Sequence, residues 1–174
     1  MGTRGVWGFK KGFGYKATYN HFDSYPEGLG LAVVKFIKET SVETMNDIYN
    51  RIILVDRTDE ATQKQIDECL PFADTNVDDG SLKNWYVLLR DSQGKPELYK
   101  TTNLRYMIAS MNFIKDDWCE YCYIIDLDEE ALLVYVNEFH KAMNIKFETI
   151  REQSTYEIVK RMEEFLRMRY GCPV

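Results

Sequence analysis

Histidine is scarce in this chain. His21 and His140 are the only two in 174 residues, too few for a metal centre built from several imidazoles. Complete catalytic signatures are missing as well. There is no G-x-S-x-G of serine hydrolases, no Walker A loop, no H-E-x-x-H of zinc peptidases and no G-x-G-x-x-G dinucleotide fingerprint. Positive charge is in deficit, with 22 Lys and Arg against 28 Asp and Glu, a formal charge of −6. That balance argues against direct, nonspecific binding to nucleic acid, whose affinity comes from Lys and Arg neutralising phosphates. No stretch approaches the roughly 20 apolar residues that span a bilayer, and the first residues hold no apolar leader core. The expectation is a cytoplasmic protein that does not enter membranes.

The four cysteines, Cys69, Cys119, Cys122 and Cys172, are scattered, which favours reduced thiols. Cys119 and Cys122 form a C-x-x-C inside an aromatic, β-branched run that reads as a strand. Residues three apart in a strand face opposite sides, so the pair predicts buried structural thiols rather than a zinc knuckle or redox couple. No cofactor and no metal are implied.

What the chain does have is apolar and aromatic mass. A hydrophobic fraction of 45% and an aromatic fraction of 14% suffice for one packed core, and the length suits a single domain over residues 1–174. Thr3 to Lys10 and Tyr15 to Asn20 read as a hairpin turned by Gly12 and Gly14. Leu31 to Lys38 predicts a buried helix. Thr40-Ser41-Val42-Glu43 reads as a capping box opening a helix with Met45, Ile48, Tyr49, Ile52 and Ile53 on one face. Further helices are expected on Thr62, Ile66, Cys69 and Leu70, on Leu82 to Arg90, and on Leu104, Met107, Ile108 and Met111. Trp118 to Leu127 and Leu132 to Val136 predict a second hairpin, and Ser154 to Glu157 a capping box before a last helix. The sum is an α+β fold, a mainly antiparallel sheet from N-terminal and C-terminal hairpins covered by helices.

Polar chemistry concentrates in Asn20 to Gly30, between a strand end and a helix start, where backbone N–H groups can receive anions. His21 and Asp23, two apart, are placed to form a hydrogen-bonded pair. In the strand after Cys119, Glu120 and Asp126 share a face with Cys122 and Ile124. That face looks too polar for a dry core, so each carboxylate should be paired, exposed or in a wet pocket, with Arg4 as a candidate partner.

Tyr19-Asn20-His21-Phe22-Asp23-Ser24-Tyr25-Pro26-Glu27-Gly28-Leu29-Gly30 resembles a block in uncharacterised proteins of phages, prophages and some fungi, whose N-termini often look like Met1-Gly2-Thr3-Arg4-Gly5. Trp118 to Asp128 and Trp85 to Arg90 are similar to other blocks of that group. A fainter likeness is to amide hydrolases with an N-terminal nucleophile, which can begin Met-Cys-Thr-Arg and carry Arg-Asn-Met-Asp on the next strand. Here Gly2 stands in the place of that cysteine, which removes the nucleophile. The first resemblance, with the loop chemistry, leads to the expectation of a noncatalytic binding protein for a small anionic, nucleotide-like molecule, in a phage counter-defence setting. Its expected binding residues are Arg4, Asn20, His21, Asp23, Ser24, Tyr25, Glu120 and Asp126. Two alternatives stay open: an acidic, anti-CRISPR-like inhibitor covering a host protein that targets nucleic acid, and a hydrolase of the N-terminal-nucleophile type.

Overall fold

The computed structural model describes residues 3–115, 119–136 and 140–171. Gly5–Lys11 (β1) and Gly14–Asn20 (β2) form the first hairpin, in which Lys11 faces Gly14 across a two-residue turn and Gly12 takes φ +57°. Tyr121–Asp126 (β5) and Ala131–Val136 (β6) form the second, extended by His140–Lys146 (β7). Among the described residues these make one sheet in the order β2-β1-β5-β6-β7. The fold is α+β and the sheet mostly antiparallel, as expected. The two hairpins meet through a parallel pair, with Gly5 to Lys10 beside Tyr121 to Asp126. That junction was not readable from either hairpin.

Both faces of β5 are buried. Trp7, Phe9, Tyr121, Tyr123 and Ile125 enter the main core, while Val6, Ala17, Cys122, Ile124 and Leu133 form a smaller apolar cluster on the other face. The face expected to be too polar for a dry core is therefore dry. β5 begins at Tyr121 and ends at Asp126, so Glu120 and Asp128 fall outside it, and Asp126, the carboxylate that stays within it, is paired with Lys10. The same strand start corrects the reading of the C-x-x-C. Cys119 precedes the strand, its Sγ donates to the Tyr121 carbonyl at 3.4 Å, and it joins Cys122 in one cluster rather than on an opposite face. Both thiols are buried and unoxidised, and burial pushes the Cys122 thiol well above its ordinary value. Cys172 lies outside the described residues, as does Trp118.

Helices pack over the main core. Pro26–Gly30 is a π-helical turn leading into Leu31–Glu39 (α1), which lies against Phe147–Glu152 (α6) and Thr155–Tyr170 (α7). The capping box expected at Ser154 closes on Glu157. At Val42–Arg51 (α2) the cap is Ser41, not Thr40: Ser41 Oγ accepts from the Thr44 N–H at 3.1 Å. This helix stops before Ile53, which opens the short strand Ile53–Val55 (β3). Gln63–Cys69 (α3) is capped by a Thr62–Gln65 box. The helix expected over Leu82 to Arg90 shrinks to one turn, Trp85–Leu88 (α4), followed by a 3-10 turn at Arg90–Ser92; Leu98–Thr101 (α5) is equally short.

The helix expected on Leu104, Met107, Ile108 and Met111 is instead the strand Tyr106–Ile108 (β4), parallel to β3, with a 3-10 turn at Met111–Lys115. Tyr106, Met107 and Ile108 are all buried, and in so short an apolar run periodicity does not separate a strand from a helix. Among the described residues no helix is long and apolar enough to cross a membrane.

Candidate functional site

Chain order brings three regions to one end of the sheet. Arg4 stands just before β1, Tyr19 lies near the end of β2, and His21 and Phe22 follow that strand. Opposite them come Arg57 after β3, Tyr86 on α4, and Arg90 and Gln93 beyond it. The segment after β4, from Ala109 to Phe113, closes the third side. Together they line a cavity of about 870 Å³, large enough for a small organic ligand.

The Asn20–Gly30 loop is held from within. Asn20 Nδ2 donates to Ser24 Oγ at 2.9 Å and to the Phe22 carbonyl. The Ser24 N–H reaches the Thr3 carbonyl at 3.2 Å, and the Leu29 N–H reaches the Asp23 carbonyl at 2.8 Å. Gly28 is required by that closure, because a Cβ there would stand 2.0 Å from the Asp23 carbonyl oxygen. The N–H groups expected to be open to an anion are spent: those of Gly28 and Gly30 both donate to the Tyr25 carbonyl. Asn20 and Ser24, buried side chains, are thus framework for the loop.

His21 pairs with Tyr19 rather than Asp23, its Nδ1 lying 2.7 Å from the Tyr19 hydroxyl. Asp23 is exposed, and its φ of +51° turns the chain away. Burial, then the Arg90 and Arg4 guanidiniums, lower the His21 pKa, so the imidazole is neutral at pH 7. Burial raises the Tyr19 pKa against the opposing pull of Arg4, Arg90 and Arg57. Three guanidiniums therefore act on one phenol.

Arg90 is held at several points. Its guanidinium lies 5.0 Å from the Phe22 ring centre and 5.3 Å from that of Tyr86. Its Nη1 donates to the Tyr86 hydroxyl at 3.1 Å and to Gln93 Oε1 at 2.8 Å. Arg57 sits 4.8 Å from the same Tyr86 ring and 3.6 Å from Asp78. Among the described residues no carboxylate pairs with Arg90. The guanidinium is half-buried against two aromatic rings, and after the Asn76 hydrogen bonds its charge also helps to hold the nearby Asp74 carboxyl below the usual range.

No family model, curated protein or solved structure matches the chain. The site's chemistry rests on its own geometry.

The expected residues divide. Arg4 and His21 line the large cavity. Asn20 and Asp23 line a second one of about 430 Å³, which shares Phe22, Arg90 and Gln93 with the first. Tyr25 packs against the main core. Glu120 does meet Arg4, but at its backbone N–H, 3.2 Å from Oε1. Asp126 is at the other end of β5, where it pairs with Lys10 at 2.6 Å and caps the turn through the Asp128 and Glu129 N–H groups. Sequence reasoning missed Arg57, Tyr86, Arg90 and Gln93. One signal was available: Tyr86 and Arg90 are four apart in a run read as helical, a spacing that brings an aromatic ring under a cation.

The serine hydroxyls in the cavity wall are tied to the backbone. Ser92 Oγ donates to the Leu89 carbonyl at 2.7 Å and Ser110 Oγ to the Ile108 carbonyl at 3.1 Å. Their protons hold the wall rather than serve a general base. Among the described residues no three His, Cys, Asp or Glu side chains gather as a metal site.

Proposed function

We propose that this chain is a noncatalytic binding protein for a small anionic molecule with a flat ring, nucleotide-like in character. The observation that carries the reading is Arg90, packed against Phe22 and Tyr86 with no carboxylate in salt-bridge contact among the described residues. Arg4 and Arg57 line the same cavity, and the rings of Tyr19 and Phe113, 4.8 Å apart, add aromatic surface for a base. An acidic chain that gathers three arginines around one cavity concentrates positive potential where an anion would enter. Such a protein acts by holding its ligand, and the likeness to phage proteins makes sequestration of a host metabolite the matching biological role.

Calorimetric titration with AMP and with adenosine tests the reading. AMP should bind and adenosine should bind at least about tenfold more weakly, the difference expected from losing a charge-assisted contact. Arg90→Ala should remove most of that difference. Equal affinity for the two compounds, or an Arg90→Ala protein that binds AMP as the parent does, refutes it.

A further inference from the structure

Gln93 lies where the two cavities meet, and its carboxamide is oriented by chemistry alone. Oε1 accepts from Arg90 Nη1 at 2.8 Å and from the His21 backbone N–H at 3.2 Å. Both partners are donors, so only the oxygen can face them, and the amide cannot be flipped. One oxygen therefore ties the Arg90 guanidinium to the loop after β2, across 72 residues of sequence. Gln93 is half-buried in the wall of both cavities. With Oε1 engaged, the Nε2 amide is what this side chain can offer to a ligand.

We propose that Gln93 is the specificity-determining residue of the anion seat: its Nε2 amide and the Arg90 guanidinium together grip two oxygens of one phosphoryl group. This rests on the proposed binding function and narrows it, from anions in general to tetrahedral oxyanions with several acceptor oxygens. A guanidinium alone attracts any negative charge. A neutral donor held beside it at fixed geometry favours a group that can accept from both. Halide and other single-point anions gain nothing from the second donor.

Gln93→Glu removes the amide donor and also hands Arg90 a carboxylate, so it tests the two-donor grip as a unit, while the Gln93 amide resonance tests this residue by itself. The substitution retains an oxygen for the Arg90 and His21 donors but replaces the amide donor with a second carboxylate oxygen. The variant should melt at or above the parent temperature, because the introduced carboxylate gains an ion pair with Arg90, while AMP binding falls by about a hundredfold. The second readout is the Gln93 side-chain amide in a 15N-resolved NMR titration of the parent protein. AMP should shift this resonance saturably, inorganic phosphate should shift it in the same direction, and chloride should leave it in place. AMP binding with no shift at the Gln93 amide overturns this assignment and leaves the proposed function standing, whereas unchanged AMP affinity in Gln93→Glu overturns both. Failure of the parent to discriminate AMP from adenosine overturns both.

Discussion

Replacing Asp126 by Asn removes one charge from a buried pair and leaves the side-chain shape almost unchanged. Asp126 is 2% exposed, and Lys10 reaches it from the neighbouring parallel strand at 2.6 Å. Burial alone would raise the Asp126 pKa. The Lys10 hydrogen bond, the Glu129 N–H, the Lys10 charge and the Asp128 N–H outweigh it and hold the carboxyl below its usual range. The bond to Asp126 holds the Lys10 pKa above its usual value, against the opposing effect of burial. Removing one partner of a buried pair costs about 3–5 kcal/mol. Here Lys10 keeps 24% of its side chain in water, and the substituted carboxamide can still accept from the turn N–H groups, so the expected loss is smaller, about 2 kcal/mol at pH 7.

The pH dependence has a definite sign. Asp126 has a depressed folded pKa, so its contribution is present above the unfolded value of about 3.9 and is lost as pH falls through the folded value. Lys10 has a raised folded pKa, so its contribution is present below about 10.4 and is lost as pH rises beyond that. Urea denaturation of parent and Asp126→Asn between pH 2 and 11 should give a stability gap that is widest in the neutral range and narrows at both ends. A gap under about 0.5 kcal/mol at pH 7, or one independent of pH, refutes this account of the pair.

Two further outcomes follow from the site. In Gly94→Ala the new Cβ would stand 2.9 Å from Asn20 Oδ1 at a residue whose φ is +69°, so the variant should lose about 1–2 kcal/mol in denaturant unfolding and bind AMP more weakly; an unchanged midpoint contradicts it. His21 should titrate by NMR below the ordinary value of about 6.5, since its folded pKa is lowered. The unfolded chain then takes up the proton first, so stability falls as pH drops through about 6.5, and bound AMP should raise the His21 midpoint; a midpoint at or above 6.5 in the free protein contradicts the half-buried, guanidinium-flanked environment.

Much of the fold was written locally. The first hairpin, the long strand after Cys119 and its partner, and the Ser154 cap are each fixed by neighbours in sequence: period-two alternation, turn glycines, and a Ser-x-x-Glu spacing. Errors fell where local signals are degenerate. Tyr106 to Ile108 fits either period, and only the pairing with Ile53 to Val55, some fifty residues earlier, makes it a strand. Asp126 was expected to be paired and is, but its partner is Lys10 rather than Arg4, a contact made only because β1 and β5 run in parallel.

The candidate site divides the same way. The loop that supplies His21 and Phe22 to one wall was marked by its polar density, which is visible in the chain itself. Its partners were not visible. Arg57, Tyr86, Arg90 and Gln93 are ordinary surface types in sequence, and each acquires meaning only from a contact across the fold: Arg90 from Phe22, and Gln93 from the His21 N–H. Composition and periodicity determined the α+β class and the hairpins, because backbone preferences and apolar spacing act within a few residues. Tertiary structure decided which strands meet in parallel and which carboxylate Lys10 receives, because the charge environment of a side chain depends on neighbours that sequence distance does not reveal.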